Sequence, residues 1–270
     1  MIFIFVLFGL LIVVLLFGRI NLSLQFRNQV NELFGQSENI SDKVFHKNEF
    51  GNLPEPVRRY FSHVLKDGQP YISYARIKHD GHFKAGLNKG WMSIKGEQYA
   101  TTEKPGFIWK GTTSVFTARD MYIGDKGGLI VSLFSLFGIV NAKGEQYNQG
   151  ELLRWLGESI LYPTNFLPDE RLQWWPINTT TAKLTYSYNG LSLFFNITFN
   201  EIGEITGMET KRYMDEKNIE TWVIKESDYK ELNNVLIPTE FEVLWRLQKG
   251  DFSYAKFRIT EVEYNIPAMF

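Results

Sequence analysis

The sequence predicts a mainly β protein: an antiparallel curled sheet, a half-open barrel with a helical lid, preceded by one N-terminal transmembrane helix. Three observations predict it. Residues 2–17 are apolar and uncharged, hydrophobic residues from Pro70 onward recur with period two between closely spaced turn residues, and residues 148–160 switch to the helical period. The expected organisation is an anchor over residues 1–27, a linker over 28–52 and one β-rich soluble domain over 53–270.

As a helix at about 1.5 Å per residue, the apolar run covers roughly 24 Å, short of a hydrocarbon core of about 30 Å. Gly18, Ile20, Leu22 and Leu24 extend it on one side, and the stem of Arg19 can snorkel to the interface. A cleaved signal peptide wants a basic residue ahead of the run and a small-residue processing site behind it. No Lys or Arg precedes Ile2 and no Ala occurs before Ala75, so retention of the helix is expected. Arg19, Arg27, Lys43 and Lys47 come after it and draw the soluble domain toward the cytoplasm, although so few charges leave the side open.

Residues 28–52 are rich in Gln, Asn, Ser and mixed charge, and read as a juxtamembrane linker. Pro54 and Pro56 then precede Val57, Tyr60, Phe61 and Val64, whose spacing makes a short amphipathic helix. Turn signals at 86–90, 103–106, 124–128, 189–190, 203, 215–218, 233–234 and 250–251 divide the remainder of the chain. They leave about ten strands, a width at which twisted sheets curl or split. Leu193, Phe195, Ile197 and Phe199 are typical of their alternating faces. One helix interrupts them: Asn148 and Glu151 can form a capping box, Leu152, Trp155, Leu156 and Ile160 share a face, and Pro163 stops it. Laid over the concave side of the sheet, helix and strands bury their apolar stripes together.

The composition narrows the function. With 29 Lys and Arg against 30 Asp and Glu, the net charge of -1 supplies no basic field, so nucleic acid is not an expected partner. The chain has no Cys, which excludes disulfides, thiolate metal sites, a Cys nucleophile and a lipidated N-terminal Cys. No nucleophile elbow, phosphate loop, dinucleotide fingerprint or zinc-protease motif occurs, and no cofactor is expected.

Two polar groups remain. In His79-Asp80-Gly81-His82, an Asp-Gly turn would set two imidazoles opposite each other, whereas a straight strand sends them to opposite faces. With no third ligand marked, no metal site is expected. Glu151, Arg154 and Glu158 lie at i, i+3 and i+7 of the second helix. A carboxylate pair held by an arginine can do acid–base work. The expectation is the plainer one, a solvated face of ion pairs contributing about 0.2–0.5 kcal/mol each.

Aromatic residues make up 16% of the chain. Trp91, Phe107, Trp109, Phe134, Phe137, Trp155, Trp175, Trp222 and Trp245, with Trp174, stand out. Most such rings belong in a core, but a curled sheet under a helix also leaves a cavity, and the first nine are the candidate lining for an acyl chain or another apolar ligand. The run 128–138 is too short to span a membrane and fits a buried strand or lid edge facing that cavity.

Several segments together resemble an uncharacterised bacterial family, a domain of unknown function, over about residues 53–264. They are Leu53-Pro-Glu-Pro-Val-Arg-Arg-Tyr-Phe61, Pro105-Gly-Phe-Ile-Trp109, Gly150-Glu-Leu-Leu-Arg-Trp-Leu-Gly-Glu158, Pro163-Thr-Asn-Phe-Leu-Pro168, and Trp175 with Ile177. The resemblance implies no activity. It implies a shape similar to the half-open barrels of periplasmic lipoprotein carriers, which hold acyl chains under a helical lid, and it draws the expected location into the envelope. The resulting expectation is a single-pass protein of a bacterial inner membrane, side undetermined, whose domain binds an apolar or lipid-like ligand. Two other classes stand beside it: an envelope hydrolase or other enzyme using Glu151, Glu158 or the histidines, and a scaffold that recruits another protein.

Overall fold

Two surfaces set the length of the first helix, α1 (Ile2–Gly35). Toward its N-terminus Phe3, Phe5, Phe8, Leu10 and Phe17 are exposed, with nothing of the domain laid over them. Further on, Phe26, Val30 and Leu33 fall at i, i+4 and i+7 and are buried against Tyr99 and Ile108 of the sheet. That second stripe carries the helix past residue 27 into the stretch that composition assigns to a linker. By length and composition α1 is able to cross a membrane, a test that a signal sequence also passes. The structure, a computed structural model, describes residues 2–37 and 39–270.

A two-residue strand β1 (Val44–Phe45) pairs with β2 (Gln69–Pro70) on either side of α2 (Glu55–Val64). Pro54 and Pro56 start α2, and Val57, Tyr60, Phe61 and Val64 are its buried face, as the spacing predicts. The first meander is β3 (Tyr74–Phe83), β4 (Met92–Thr101), β5 (Gly106–Thr112), β6 (Phe116–Ile123), β7 (Lys126–Leu133) and β8 (Phe137–Lys143). Helix α3 (Glu145–Glu158) and two 3-10 turns connect it to the second. The second meander comprises β9 (Leu172–Pro176), β10 (Thr181–Tyr188), β11 (Leu191–Phe199), β12 (Ile205–Tyr213), β13 (Ile219–Leu232), β14 (Val235–Leu247) and β15 (Gly250–Tyr264).

Pairing of β3 with β15 joins the two meanders into one antiparallel sheet of 13 strands, ordered β8-β7-β6-β5-β4-β3-β15-β14-β13-β12-β11-β10-β9. The sheet curls, and α3 shows it by packing against both β7 and β12. In a flat sheet those strands, eight steps apart, would lie about 38 Å from each other, several helix diameters. Breaks in register at Thr198/Phe199, Val243/Leu244 and Ile259/Glu261 help the strands bend. Across the gap, the Tyr188 hydroxyl donates to Asp125 Oδ1 at 2.9 Å, tying β10 to the β6–β7 turn. The result is the mainly β class expected, a curled antiparallel sheet with a helix on its concave side.

Two local expectations change. Asp80-Gly81 is not a turn; β3 runs through it, paired with both neighbours. Nor do Asn148 and Glu151 form a capping box. The helix begins a turn earlier, and Asn148 Oδ1 accepts instead from the Gly127 N–H of β7 at 2.8 Å. Helix and sheet approach closely here: a Cβ on Gly127 would lie 2.1 Å from the Tyr147 carbonyl oxygen. Gly127→Ala should therefore lower Tm by roughly 2–10 °C, from an overpacking cost of about 1–3 kcal/mol. Gly90→Ala, where a Cβ meets nothing within 4 Å, should leave Tm unchanged. Thermal unfolding of the full chain in mild detergent, followed by near-UV circular dichroism, checks both.

Candidate functional site

Side chains that alternate inward along the strands decide how much of the concave space is filled. One cross-strand row reads Val131, Ala118, Gly111, Gly96, His79 and Ile259; the next reads Leu129, Asp120, Trp109, Gln98 and Ile77. The middle of the first row has almost no side chains. The bare positions are occupied by two rings lying flat on the sheet: a Cβ on Gly96 would lie 1.8 Å from His79 Nε2, and one on Gly111 would lie 2.1 Å from the Trp109 ring. The ring planes are parallel to within 2°, and Trp109 Nε1–H donates to His79 Nε2 at 2.8 Å. Because they lie down rather than stand up, a cavity of about 490 Å³ remains above them. Its size is that of a small-molecule pocket. Phe83, Phe116, Val131, Leu133, Ile139, Trp222, Ile224, Val243 and Phe257 give most of the wall, and the flank of α3 at Gly157 the rest.

One side of the wall is ionic. Arg154 binds Asp120 through Nη1 and Glu158 Oε1 through Nε at 2.8 Å, while Gln98 Nε2 donates to Glu158 Oε2 at 2.7 Å. The Arg154 guanidinium also lies over Trp109 at 4.8 Å and Phe107 at 5.2 Å. Beside it, Arg212 stacks over Trp222 at 4.5 Å and donates to Glu151 Oε1 at 3.3 Å. Trp222 Nε1 donates in turn to the Tyr254 hydroxyl at 2.9 Å. The solvated face expected for α3 is thus corrected: Glu151 is 4% and Arg154 9% exposed. With sheet on both flanks, the i, i+3, i+7 stripe faces the interior.

Burial pushes the Glu151 carboxyl up to about 8, the Asp120 charge adding to the effect and Arg212 opposing it. Its Oε2 has no partner, which suits a protonated acid. Burial raises Asp120 as well, against the pull of Arg154. For Arg154, burial works downward, but the Glu158 and Asp120 carboxylates outweigh it and hold the guanidinium charged. With Glu151 neutral, two carboxylates face two guanidiniums, and the wall is polar without net charge. Burial also lowers His79 to about 4; with Nε2 occupied by Trp109, it is a neutral structural acceptor.

The structure brings Trp109 and Trp222 to the cavity wall together with His79, Arg154 and Glu158. Phe107 and Trp155 are buried, the latter donating to the Thr101 carbonyl at 2.8 Å. Trp245 is buried against Tyr254 with ring centroids 6.3 Å apart, and Trp174 belongs to the core beside Phe166 and Phe199. Trp91, Phe134, Phe137 and Trp175 are exposed, as is His82, which points away from His79. Asp120 and Arg212 are functional candidates that motif and spacing do not mark. Their signal was a charged residue at an inward position of a strand, as in Phe116, Ala118, Asp120, Tyr122. Among the described residues no group of three or more metal-ligating side chains is assembled.

Residues 43–257 match DUF6544, a family of unknown function. No curated protein matches the chain. Among solved structures, a LolA superfamily protein from Nitrosomonas europaea is similar at 8% identity, covering 77% of this chain and 91% of that one, with a TM-score of 0.42. A putative outer membrane lipoprotein-sorting protein domain from Vibrio parahaemolyticus is similar at 8% identity, over 71% and 85% of the two chains, with a TM-score of 0.41.

Glu151 yields a pH signature. Its folded value of about 8 exceeds the ordinary 4.5, so its contribution to stability is fully present below pH 4.5 and is lost as pH rises toward 8. Glu151→Gln keeps an acceptor for Arg212 and removes the titration. The Tm of the variant relative to the parent should therefore rise by several degrees between about pH 5 and pH 8. Parallel melting profiles across that range would show the carboxyl ionised throughout.

Proposed function

The chain belongs to DUF6544, and from that premise we propose that this member is a membrane-anchored binding module whose cavity holds an apolar or lipid-like ligand in the cell envelope. The observation that carries the proposal is the cavity: about 490 Å³ inside the curled sheet, walled by aliphatic and aromatic side chains, with one polar patch of opposed charges. Each methylene removed from water into such a space contributes about 0.8 kcal/mol, so a chain of about ten brings roughly 8 kcal/mol before the costs of ordering it. The patch of Asp120, Arg154, Glu158, Gln98 and Arg212 marks the ligand as an amphiphile. Two opposed charge pairs favour a head with hydroxyl, amide or zwitterionic groups over a strongly anionic one.

The exposed apolar part of α1 supports an anchor retained in a bilayer, which we assign to the bacterial inner membrane. An enzymatic role for Glu158 or His79 is less well supported, because Arg154 and Gln98 take both Glu158 oxygens and Trp109 takes His79 Nε2.

Filling the cavity tests the reading. Ala118 lines it opposite Val131 and carries only a methyl group. The full chain in mild detergent should bind a pyrene-labelled fatty alcohol saturably, and Ala118→Trp should weaken that binding at least about tenfold, the scale of 1.4 kcal/mol. An unfilled variant, Ile202→Ala on the surface away from the cavity, should bind as the parent does. Absence of saturable binding by the parent, or equal binding by Ala118→Trp, would overturn the proposal.

A further inference from the structure

The direction of the strands places four connections at one end of the first meander and the strands next to it. Strands β3, β5 and β7 run toward it and β4, β6 and β8 return, so segments 84–91, 113–115 and 134–136 lie there. The register adds the β14–β15 turn at 248–249, next to β3. This rim exposes apolar side chains that a soluble surface would not need to gather: Leu87 at 58%, Phe137 at 63%, and Trp91, Val115 and Phe134 besides. Lys84 and Lys256 lie over the Trp91 ring at 4.5 and 5.7 Å. Aromatic rings flanked by lysines suit the boundary between acyl chains and anionic headgroups.

The cavity opens on the same end. Ala85 and Ile139 line it and are exposed, with Ile139 at 57%, and Phe83, Phe116 and Leu133 beside them are half-buried. At the other end α2 closes the interior, seated on the β11–β12 turn so closely that a Cβ on Gly203 would lie 2.9 Å from the Arg59 carbonyl oxygen. Exposed Trp175, Ile177 and Ile202 are elsewhere on the surface, and none of them lines the cavity.

Helix α1 also leaves the domain at the rim. Its Leu33 sits against Gly106, at the far end of β5, whereas Gly18 sits against the 134–136 tip, where a Cβ would lie 2.5 Å from the Ser135 carbonyl oxygen and 2.6 Å from Leu136 Cδ2. Apart from Ile20 and Leu24, the exposed large apolar residues of the helix precede that contact. Where α1 is a membrane anchor, the contact at Gly18 therefore holds the rim beside the place where the apolar stretch enters the bilayer.

We propose that the rim formed by Leu87, Trp91, Val115, Phe134 and Phe137 docks into an anionic lipid bilayer, the one α1 enters, and applies the cavity mouth to the lipid. This rests on reading α1 as a membrane anchor. A ligand then passes between bilayer and cavity along Ile139 and Phe116 without crossing water.

The chain has no cysteine, so single labels report position without ambiguity. The full protein is reconstituted into vesicles of phosphatidylethanolamine and phosphatidylglycerol, with an NBD label on Phe137→Cys, Leu87→Cys or, as the far-end control, Ile202→Cys. Labels at 137 and 87 should shift to the blue and be quenched by doxyl-labelled lipid, while the label at 202 stays quenched by aqueous iodide. Iodide quenching at 137 and 87 equal to that at 202 would overturn the docking. Binding of the pyrene-labelled alcohol by the same samples is independent of label depth. Lipid-exposed labels without saturable binding would leave the docking standing and remove the carrier reading; the reverse result would do the opposite. Phe134→Ser with Phe137→Ser should slow pickup of the probe from vesicles at least about tenfold. Its equilibrium affinity in detergent should be unchanged, and an unchanged pickup rate would count against the docking.

Discussion

Pairing between β3 and β15 is the contact on which the rest of the architecture depends. It fuses two meanders of ordinary width into a sheet of 13 strands. Each neighbour step adds about 20–25° of twist, so a sheet of that width curls. Curling sets β7 and β12 on opposite flanks of α3 and leaves the helix without a solvent side; residues 150–156 are all buried. A helix enclosed on every side is expected to be apolar all round. This one carries Glu151 and Arg154 among Leu152, Leu153, Trp155 and Leu156, so its charges need partners supplied by the sheet, and Asp120, Gln98 and Arg212 are those partners.

Stability is a weak reason for such a cluster. Removing charges from water costs several kcal/mol per ion, and an apolar replacement of similar volume is often as stable or more so. The arrangement limits the cost by filling both Glu158 oxygens, by placing both guanidiniums over aromatic faces, and by leaving Glu151 protonated. The bare row of Gly96, Gly111 and Ala118 has the same character. Protein interiors pack to a density of about 0.74, and an unfilled space forfeits the contacts that its lining would otherwise make. An ionic wall and an empty interior, side by side on the concave face, are two costs with one explanation on the proposed reading: both belong to the ligand.

Period and punctuation make the outline legible in the sequence alone. Alternation in segments such as 191–199 locates strands, and the Pro54-Pro56 start with its stripe locates α2. The features that stay hidden depend on neighbours distant in the chain. The stripe of Phe26, Val30 and Leu33 straddles an apolar run and a polar one, so neither composition window reveals it. Asp80-Gly81 has the local chemistry of a turn, but pairing with β4 and β15 on both sides outweighs that preference. Asn148 can cap a helix, yet the close approach at Gly127 gives it a better donor. Of the aromatic set, only Trp109 and Trp222 reach the cavity wall, because ring count says nothing about which face a strand turns inward. The glycines beneath the His79 and Trp109 rings, Gly96 across from His79 and Gly111 two residues along the strand from Trp109, are the better signal, since they decide whether a ring lies flat or fills the space.

If the mouth meets a bilayer, the energetics of binding change in kind. An acyl chain in a membrane is already out of water, so moving it into an apolar cavity regains little of the roughly 0.8 kcal/mol per methylene that transfer from water would give. The chain then sets which molecules fit, and the polar head sets which of them stay. In the headgroup layer a hydroxyl or amide exchanges hydrogen bonds with water; in the cavity it would exchange them with Asp120, Glu158, Arg154 and Gln98, groups already held in place by one another. Fixed partners in a low-dielectric wall bind such a head without the cost of organising themselves. Selection would therefore lie with hydrogen-bond geometry at α3 rather than with hydrophobicity, which every lipid in the same bilayer shares.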